Sequence, residues 1–523
     1  MKKNYLFLLS LACMCACAKQ PVKENKPDTV NEVIKVDVLS VPANDPFGAY
    51  LNSVPPVLQV ISTTNSGSGA TAITTKRFTF ASKGGVNTVF AIMAYPQAAG
   101  VRPGILFNHG GGGNAESQLG NVQNYAALGY VTIAIDQPGI AGTGNTPNSA
   151  GPWKSAAAGE GPRLNVTGGP QNSTLFDAGV AGLQAFNYLS AQSNVDATKL
   201  GIAGSSWGGY MTTMLSGLLS TRVKAAYSSF GCGYYDAGSF WSSMISAMVN
   251  TDRNTWLAYL DAGRRAPEIT APYFIEEPTN DTYFWPEAVN ATLSAIPGTK
   301  NRVCMPNLNH TVIPAAGTMK QLYMNYYLKA SGSPFGTVTV SSAVLQADGS
   351  LQVNMTANVP AGVSVSSVQL YYSVPGSNWQ SRNWISLPAS LVSGNNYRTT
   401  LSASLVSQQV DYFAYMADSR TVTTSSPVLK ANNITGVTFY QNINYGGTAS
   451  QVLPVGNYTT AQLAAKGVPN EWASSVKIPP GRTVIMYADD NFTGQSWTRT
   501  GDTPDFTVLN PTANDKVSSV KVQ

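Results

Sequence analysis

Three successive regimes of apolar and polar positions run along the chain. Between about 46 and 331, short apolar runs alternate with stretches carrying apolar residues every three or four positions. "RPGILFNHGGGG" and "YVTIAIDQPG" are strand-like runs that end in glycine turns, and "LFDAGVAGLQAFNYLSAQ" has helical spacing. "KLGIAGSS" then pairs with "WGGYMTTMLSGLLS" as strand and helix, and "VKAAYSSFG", "APYFIEEP" and "NRVCMPNL" are further strands before a closing helix, "TMKQLYMNYYLKAS". This alternation predicts an α/β domain with a mostly parallel sheet and helices on both faces. Beyond about 334 the helical spacing stops. Residues 335–430 hold "LQVNMTANV", "SVQLYYSV", "YRTTLSAS" and "DYFAYMADS" between Gly, Asn and Ser turns, the pattern of an Ig-like or fibronectin-like antiparallel sandwich. The linker "ANNIT" leads to a third region, 434–523, again patterned as strands. A chain of 523 residues is too long for one core, so several domains are expected.

Composition narrows the function classes. The chain is 43% hydrophobic and only 11% charged, with net charge +5 and no basic run able to track a phosphate backbone. Nucleic acid is therefore set aside as a partner. The first twenty residues, "MKKNYLFLLSLACMCACAKQ", place Lys2 and Lys3 before the apolar run 5–12, which is too short to span a bilayer and reads as a signal segment. Residues 18–45 are polar and contain proline, as expected of a tether. Cys13, Cys15 and Cys17 follow the apolar run in a pattern that resembles a bacterial lipoprotein box. Cys17, preceded by Ala16 and followed by a polar tail, is the expected lipidation site. Cys13 is its rival, and an ordinary secretory signal is the alternative to both. Each reading exports the chain to the periplasm, outer membrane or cell surface, with membrane contact only through an N-terminal lipid. Export also permits a disulfide between Cys232 and Cys304, which the sequence leaves open.

The candidate chemistry centres on Gly204-Ser205-Ser206-Trp207-Gly208, at the predicted junction of a strand and a helix. In a chain with 48 glycines such a pentapeptide gains weight only from that context. A nucleophilic serine needs a base and an acid to hold the base's tautomer. The chain has two histidines. His109 precedes the glycine run 110–113, where its expected part is backbone shape; His310, in the loop after the last predicted strand, is then the base. Asp281, in the turn after "APYFIEEP", is the preferred acid, with Glu276 and Glu277 as alternatives nearer the strand. Asp136 is expected to be structural. The order Ser206, Asp281, His310 is that of α/β hydrolases.

These segments are similar to known families. "GSSWGGYMT" resembles the nucleophile elbow of prolyl-oligopeptidase-like hydrolases, and "PTNDTYFWP" resembles their acid loop; "SSFGCGYY" and the Gly-rich loop bring the chain nearer to acetyl-xylan-esterase-like members. The resemblance implies an α/β-hydrolase fold over 46–331, Ser206 as nucleophile, His310 as base and Asp281 as its orienter. It also implies oxyanion donors at the N–H groups of Trp207, Gly110 and Gly111. "IEEPTND" departs from the "GTND"-like stretch usual there. In the third region "YQNINYGG" recurs as "YADDNFTG", and "NEWASS" (470–475) as "NDKVSS" (514–519), which resembles the βγ-crystallin Greek-key pair. That likeness implies two calcium sites, using the hydroxyls of Ser474 and Ser518 and the carbonyls of Trp472 and Lys516. Side chains of Asn470, Asn514 and Asp515, and a carbonyl near Gln441 or Ala488, would complete them. Glu471 departs from the Asn/Asp pattern, and a calcium-free structural module is the alternative.

The expected function is an exported serine carboxylesterase, with deacetylation of a polysaccharide as the candidate reaction and no cofactor for catalysis. The alternatives are a prolyl-oligopeptidase-type peptidase and a non-catalytic calcium- or glycan-binding surface protein. Segments 140–175 and 231–271 are expected to roof the pocket with Trp153, Tyr234, Tyr235, Trp241 and Trp256, and Trp285 stands beside the acid loop. Their rings either stack on substrate or pack the core.

Overall fold

A computed structural model describes residues 44–523 apart from 157–158, 347, 377, 407, 409, 432–435 and 480–481. The signal segment with Cys13, Cys15 and Cys17, and tether residues 18–43, lie outside the described residues.

The first region folds around a nine-stranded sheet. Its strands are β1 (Val57–Ser66), β2 (Ile73–Ser82), β3 (Asn87–Pro96), β4 (Arg102–Asn108), β5 (Val131–Ile135), β6 (Val195–Ser205), β7 (Ala225–Ser229), β8 (Tyr273–Pro278) and β9 (Lys300–Met305). The order is β1-β2-β3-β5-β4-β6-β7-β8-β9. From β5 to β9 every pairing is parallel, as the sequence pattern predicts. β1, β2 and β3 add an antiparallel extension through β3 and β5, which the sequence pattern does not announce. β1 is mostly exposed along its length, so no burial forces its residues to alternate.

Side-chain alternation along the strands builds two cores, one on each face. Leu106, Ile133 and Ile202 meet Leu183, Phe186, Met211 and Leu215 from helices Thr174–Ser190 and Trp207–Leu219. Their neighbours Ile105, Phe107, Ala134 and Ala203 meet Val122, Tyr125, Met319 and Tyr323 from helices Leu119–Ala127 and Ala316–Lys329. Cys232 and Cys304 are buried free thiols, so the export-permitted disulfide is not formed.

Two antiparallel sheets follow. One joins Thr337–Leu345, Leu351–Asn358, Asn396–Leu401 and Ser390–Ser393, and the other is built on Val365–Ser373 and Val410–Asp418. Val353, Met355, Leu370, Tyr412 and Ala414 fill the space between them. This sandwich is packed on the first domain, where Trp384, Phe413 and Val428 close over Cys304. The C-terminal region forms two small antiparallel sheets around a core of its own, including Phe439, Val476, Met486 and Val520. Its repeat is visible in the backbone. Asn444 and Tyr445 have φ of 54° and 60°, and their counterparts Asn491 and Phe492 have 55° and 64°.

The aromatic residues expected over the pocket are core instead. Trp153, Tyr234, Tyr235, Trp241 and Trp256 are all buried, and Tyr235 stacks on Trp241 with centroids 4.7 Å apart. Their size makes them costly to remove. We expect Trp256→Ala to destabilise the first domain by about 3–5 kcal/mol, read as a lowered urea midpoint in circular dichroism.

Candidate active site

Ser206 sits between β6 and the helix Trp207–Leu219, with φ 58° and ψ −123°. That conformation is disfavoured for any residue with a Cβ and survives only where its surroundings enforce it. They do so by close approach. A Cβ on Gly204 would lie 2.3 Å from the Gly208 carbonyl oxygen, and one on Gly208 would lie 2.2 Å from the Asn108 oxygen. The Ser206 N–H donates to the Ser229 carbonyl at 2.9 Å, which ties the turn to β7.

The turn aims the hydroxyl at His310, whose Nε2 is 2.8 Å from Ser206 Oγ. On the other side His310 Nδ1 lies 2.9 and 3.1 Å from the two carboxylate oxygens of Asp281. A carboxylate only accepts, so Nδ1 carries the proton and Nε2 presents its lone pair to the serine hydroxyl. Asp281 is fully buried, and its Oδ1 also accepts from the N–H groups of Tyr283 (2.6 Å) and Phe284 (3.1 Å). Phe230 and Tyr283 flank the imidazole edge-on, with centroids 4.6 and 4.8 Å away. The structure thus joins Ser206, His310 and Asp281, three residues far apart in sequence.

The rival acids are engaged elsewhere. Glu276 accepts from Tyr227 Oη (2.8 Å) and Ser229 Oγ (2.5 Å), while Glu277 pairs with Arg302 at 3.2 Å. Burial pushes both carboxyls above their ordinary range. Asp136 accepts from Ala115 N–H (2.8 Å) and Ser149 Oγ (2.7 Å), a structural bridge near the glycine loop.

His109 shapes that loop. Its Nε2 accepts from Gln137 N–H (3.0 Å), so its Nδ1 donates to the Gly110 carbonyl (2.7 Å). The loop it fixes lies against Ser206. A Cβ on Gly110 would be 3.2 Å from Ser206 Cβ, and one on Gly111 would be 2.7 Å from Trp207 Cδ1. Among the described residues the N–H groups of Gly110, Gly111 and Trp207 have no hydrogen-bond partner. Free donors beside a serine Oγ are the arrangement that an oxyanion requires.

Asn309 and Asn280 were not legible in the sequence. Asn309 Oδ1 accepts from Thr282 N–H, Thr282 Oγ1 (both 2.9 Å) and His310 N–H (2.7 Å), tying the acid loop to the histidine loop. Nothing in either segment signals a partner 27 residues away in sequence.

In the C-terminal domain the two six-residue motifs lie against each other. Ser474 Oγ is 3.4 Å from Asp515 Oδ1, and the Asp515 N–H donates to the Ala473 carbonyl at 3.2 Å. The second motif's aspartate therefore sits with the first motif's serine. Glu471 and Asp515 share a left-handed backbone (φ 54° and 53°). Asn514 Oδ1 is buried without a partner, and Asn514 Nδ2 donates to Asp515 Oδ2 at 2.8 Å. Oxygen donors with an unmet acceptor fit a hard cation.

Residues 61–327, just over half of the chain, match the family model Acetyl xylan esterase (AXE1). The chain belongs to the acetyl xylan esterase family. Its first domain is a carboxylic ester hydrolase domain with the α/β-hydrolase fold. Among solved structures, the acetyl xylan esterase from Paenibacillus sp. R4 is 18% identical, with TM-score 0.44, over 52% of this chain and 90% of that one. A betagamma-crystallin domain from Clostridium beijerinckii is 53% identical, with TM-score 0.16, over 17% of this chain and 95% of that one. Development-specific protein S of Myxococcus xanthus is 40% identical over 86 residues, which are 16% of this chain and 47% of that protein. Its homolog in the same organism is 35% identical over 86 residues, 16% of this chain and 46% of that protein. The chain spans about half the length of these curated relatives.

Burial pushes the His109 imidazole down from 6.5 to about 4. The folded protein therefore takes up this proton later than the unfolded chain as pH falls. Its stabilising effect is complete above the unfolded value of about 6.5 and is lost as pH falls towards 4. With two histidines in the chain, imidazole NMR resonances can be assigned by substituting His310. We expect the His109 resonance not to titrate between pH 8 and 5.

Proposed function

We propose that this chain is an exported serine carboxylesterase that removes acetyl groups from a polysaccharide. The observation that carries the reading is the continuous hydrogen-bonded path from Ser206 through His310 to buried Asp281, at a strained turn facing the 110–113 loop. Ser206 Oγ attacks the ester carbonyl carbon and passes its proton to His310 Nε2. The oxyanion then rests on the N–H groups of Trp207, Gly110 and Gly111. Collapse breaks the bond to the alcohol oxygen, which leaves with the proton from Nε2. Water attacks the acyl-serine and gives a proton to Nε2, the acid departs, and Ser206 regains its hydrogen. Asp281 holds the Nδ1–H and stabilises the imidazolium throughout. Membership of the acetyl xylan esterase family supports acetylated xylan as the substrate class. The N-terminal signal pattern and Cys17 support export and a lipid anchor, and the sandwich is read as Ig-like.

The test is hydrolysis of p-nitrophenyl acetate by the full chain. Wild type is expected to turn over, Ser206→Ala to lose at least about 10⁴-fold in kcat, and Asp281→Asn to lose on the order of 10⁴-fold with its geometry intact. Equal rates in wild type and Ser206→Ala would remove the serine mechanism.

We further propose that the C-terminal domain binds calcium. Ser474 with Asp515, and by the repeat Ser518 with Glu471, hold the two ions with Asn470, Asn514 and the carbonyls of Trp472 and Lys516. Such ions would crosslink the two keys. At a hundred times Kd, each site is expected to stabilise the folded domain by about 2.7 kcal/mol. Thermal unfolding in calcium against EGTA reads this, and Asp515→Asn should remove much of the shift. An identical melt in both conditions makes the domain a calcium-free module.

A further inference from the structure

The two loops that carry Asp281 and His310 belong to no strand or helix, yet their side chains must hold position to a fraction of an ångström. They are joined to each other by Asn309 and by the Asn280 N–H donating to the Leu308 carbonyl at 3.0 Å. That pair of loops is in turn gripped from outside the hydrolase domain. Asn280 Nδ2 donates to the carbonyls of Gln380 (3.2 Å) and Arg382 (2.6 Å) in the sandwich. Gln380 Nε2 donates back to the carbonyls of Asp281 (3.0 Å) and Thr282 (3.4 Å). On the histidine side, Asn307 Nδ2 donates to the Trp384 carbonyl at 2.8 Å and Asn307 Oδ1 accepts the Trp384 N–H at 2.7 Å.

The gripping segment is itself held firmly. Arg382 pairs with buried Asp411 and lies 3.6 Å above the Trp379 ring. Trp379 Nε1 donates to Glu287 Oε1 at 3.2 Å, just beyond the acid loop. Trp384 is buried with Phe413 and Val428 over Cys304. The Cys304 N–H, near the end of β9, donates to Ser425 Oγ of the sandwich at 2.7 Å. A tethered accessory module would not need to reach the backbone of the catalytic acid.

We propose that residues 379–384 of the sandwich are a structural part of the esterase site, and that Gln380, Asn280 and Asn307 are positioning residues for Asp281 and His310. This rests on the serine-esterase reading above. Two full-chain variants test it. Gln380→Ala removes the donor to the Asp281 carbonyl from a half-buried sandwich position. Asn307→Asp removes one donor and retains a residue type tolerant of its left-handed φ of 59°. Each is expected to lower kcat on p-nitrophenyl acetate about tenfold, with KM within about twofold because no group touching substrate has changed. Each is also expected to shift or broaden the far-downfield NMR resonance of the His310 Nδ1 proton, which reads the hydrogen bond to Asp281 without any substrate.

Wild-type kcat and an unmoved resonance in both variants overturn the proposal, even if thermal stability falls, because they leave only a structural role. Should one variant fail to fold, the other decides by the same readings. If wild type shows no turnover that Ser206→Ala abolishes, the esterase reading fails by itself. The Nδ1 resonance then still decides whether the sandwich positions the histidine.

Discussion

One residue in a conformation that its own side chain disfavours organises the hydrolase domain. Ser206, at φ 58° and ψ −123°, stores about 1–3 kcal/mol of backbone strain that its neighbours must sustain. Its N–H is spent on β7 and its carbonyl accepts from the N–H groups of Gly209 and Tyr210, so the helix start locks the turn from both sides. Gly204 and Gly208 are glycines because backbone oxygens occupy the space where Cβ atoms would stand. The consequence is a hydroxyl projected off the sheet edge, where β4, β6, β7, β8 and β9 all deliver their C-terminal loops.

Around that turn, burial sorts the acidic residues by partner rather than by position. Asp136, Glu276 and Glu277 are as buried as Asp281, and each lies near a strand end. Glu277 is matched by a cation and the other two by hydroxyl or amide donors, which fixes them as braces. Asp281 alone among these is shared between backbone amides and an imidazole, a combination that holds the His310 ring in one orientation. The same economy governs the aromatics. Trp207, Tyr235 and Trp241 pack on one another beneath the site, so they stiffen the helix start instead of offering faces to a sugar.

The two β domains differ in their relation to this site. The sandwich shares a core with the hydrolase domain around Cys304 and hydrogen-bonds the loops that carry Asp281 and His310. The crystallin domain closes a core of its own and pairs its two keys through complementary motifs. Its repeated tyrosine or phenylalanine corners are each covered by a lysine, Lys477 on Tyr445 and Lys521 on Phe492, at 4.9 Å in both copies.

Local pattern alone determined much of this protein. A parallel sheet needs strands buried on both faces, and those runs are unmistakable in "VTIAI" and "AAYSS". The turn at Ser206 and the meeting of Ser206, His310 and Asp281 were likewise legible, because a shortage of histidine leaves few ways to assemble such a path. The crystallin repeat was legible because twofold structure leaves a twofold sequence. What the sequence could not carry was any contact whose partners are uncorrelated in type. β1 is exposed and so bears no burial pattern; the aromatic roof proved to be core because only packing decides which face of a ring is free. The Asp515–Ser474 approach and the grip of Gln380 on the acid loop join residues 41 and 99 positions apart. An amide or a hydroxyl looks the same in sequence whether it meets water or a carbonyl, and only the tertiary structure makes that choice.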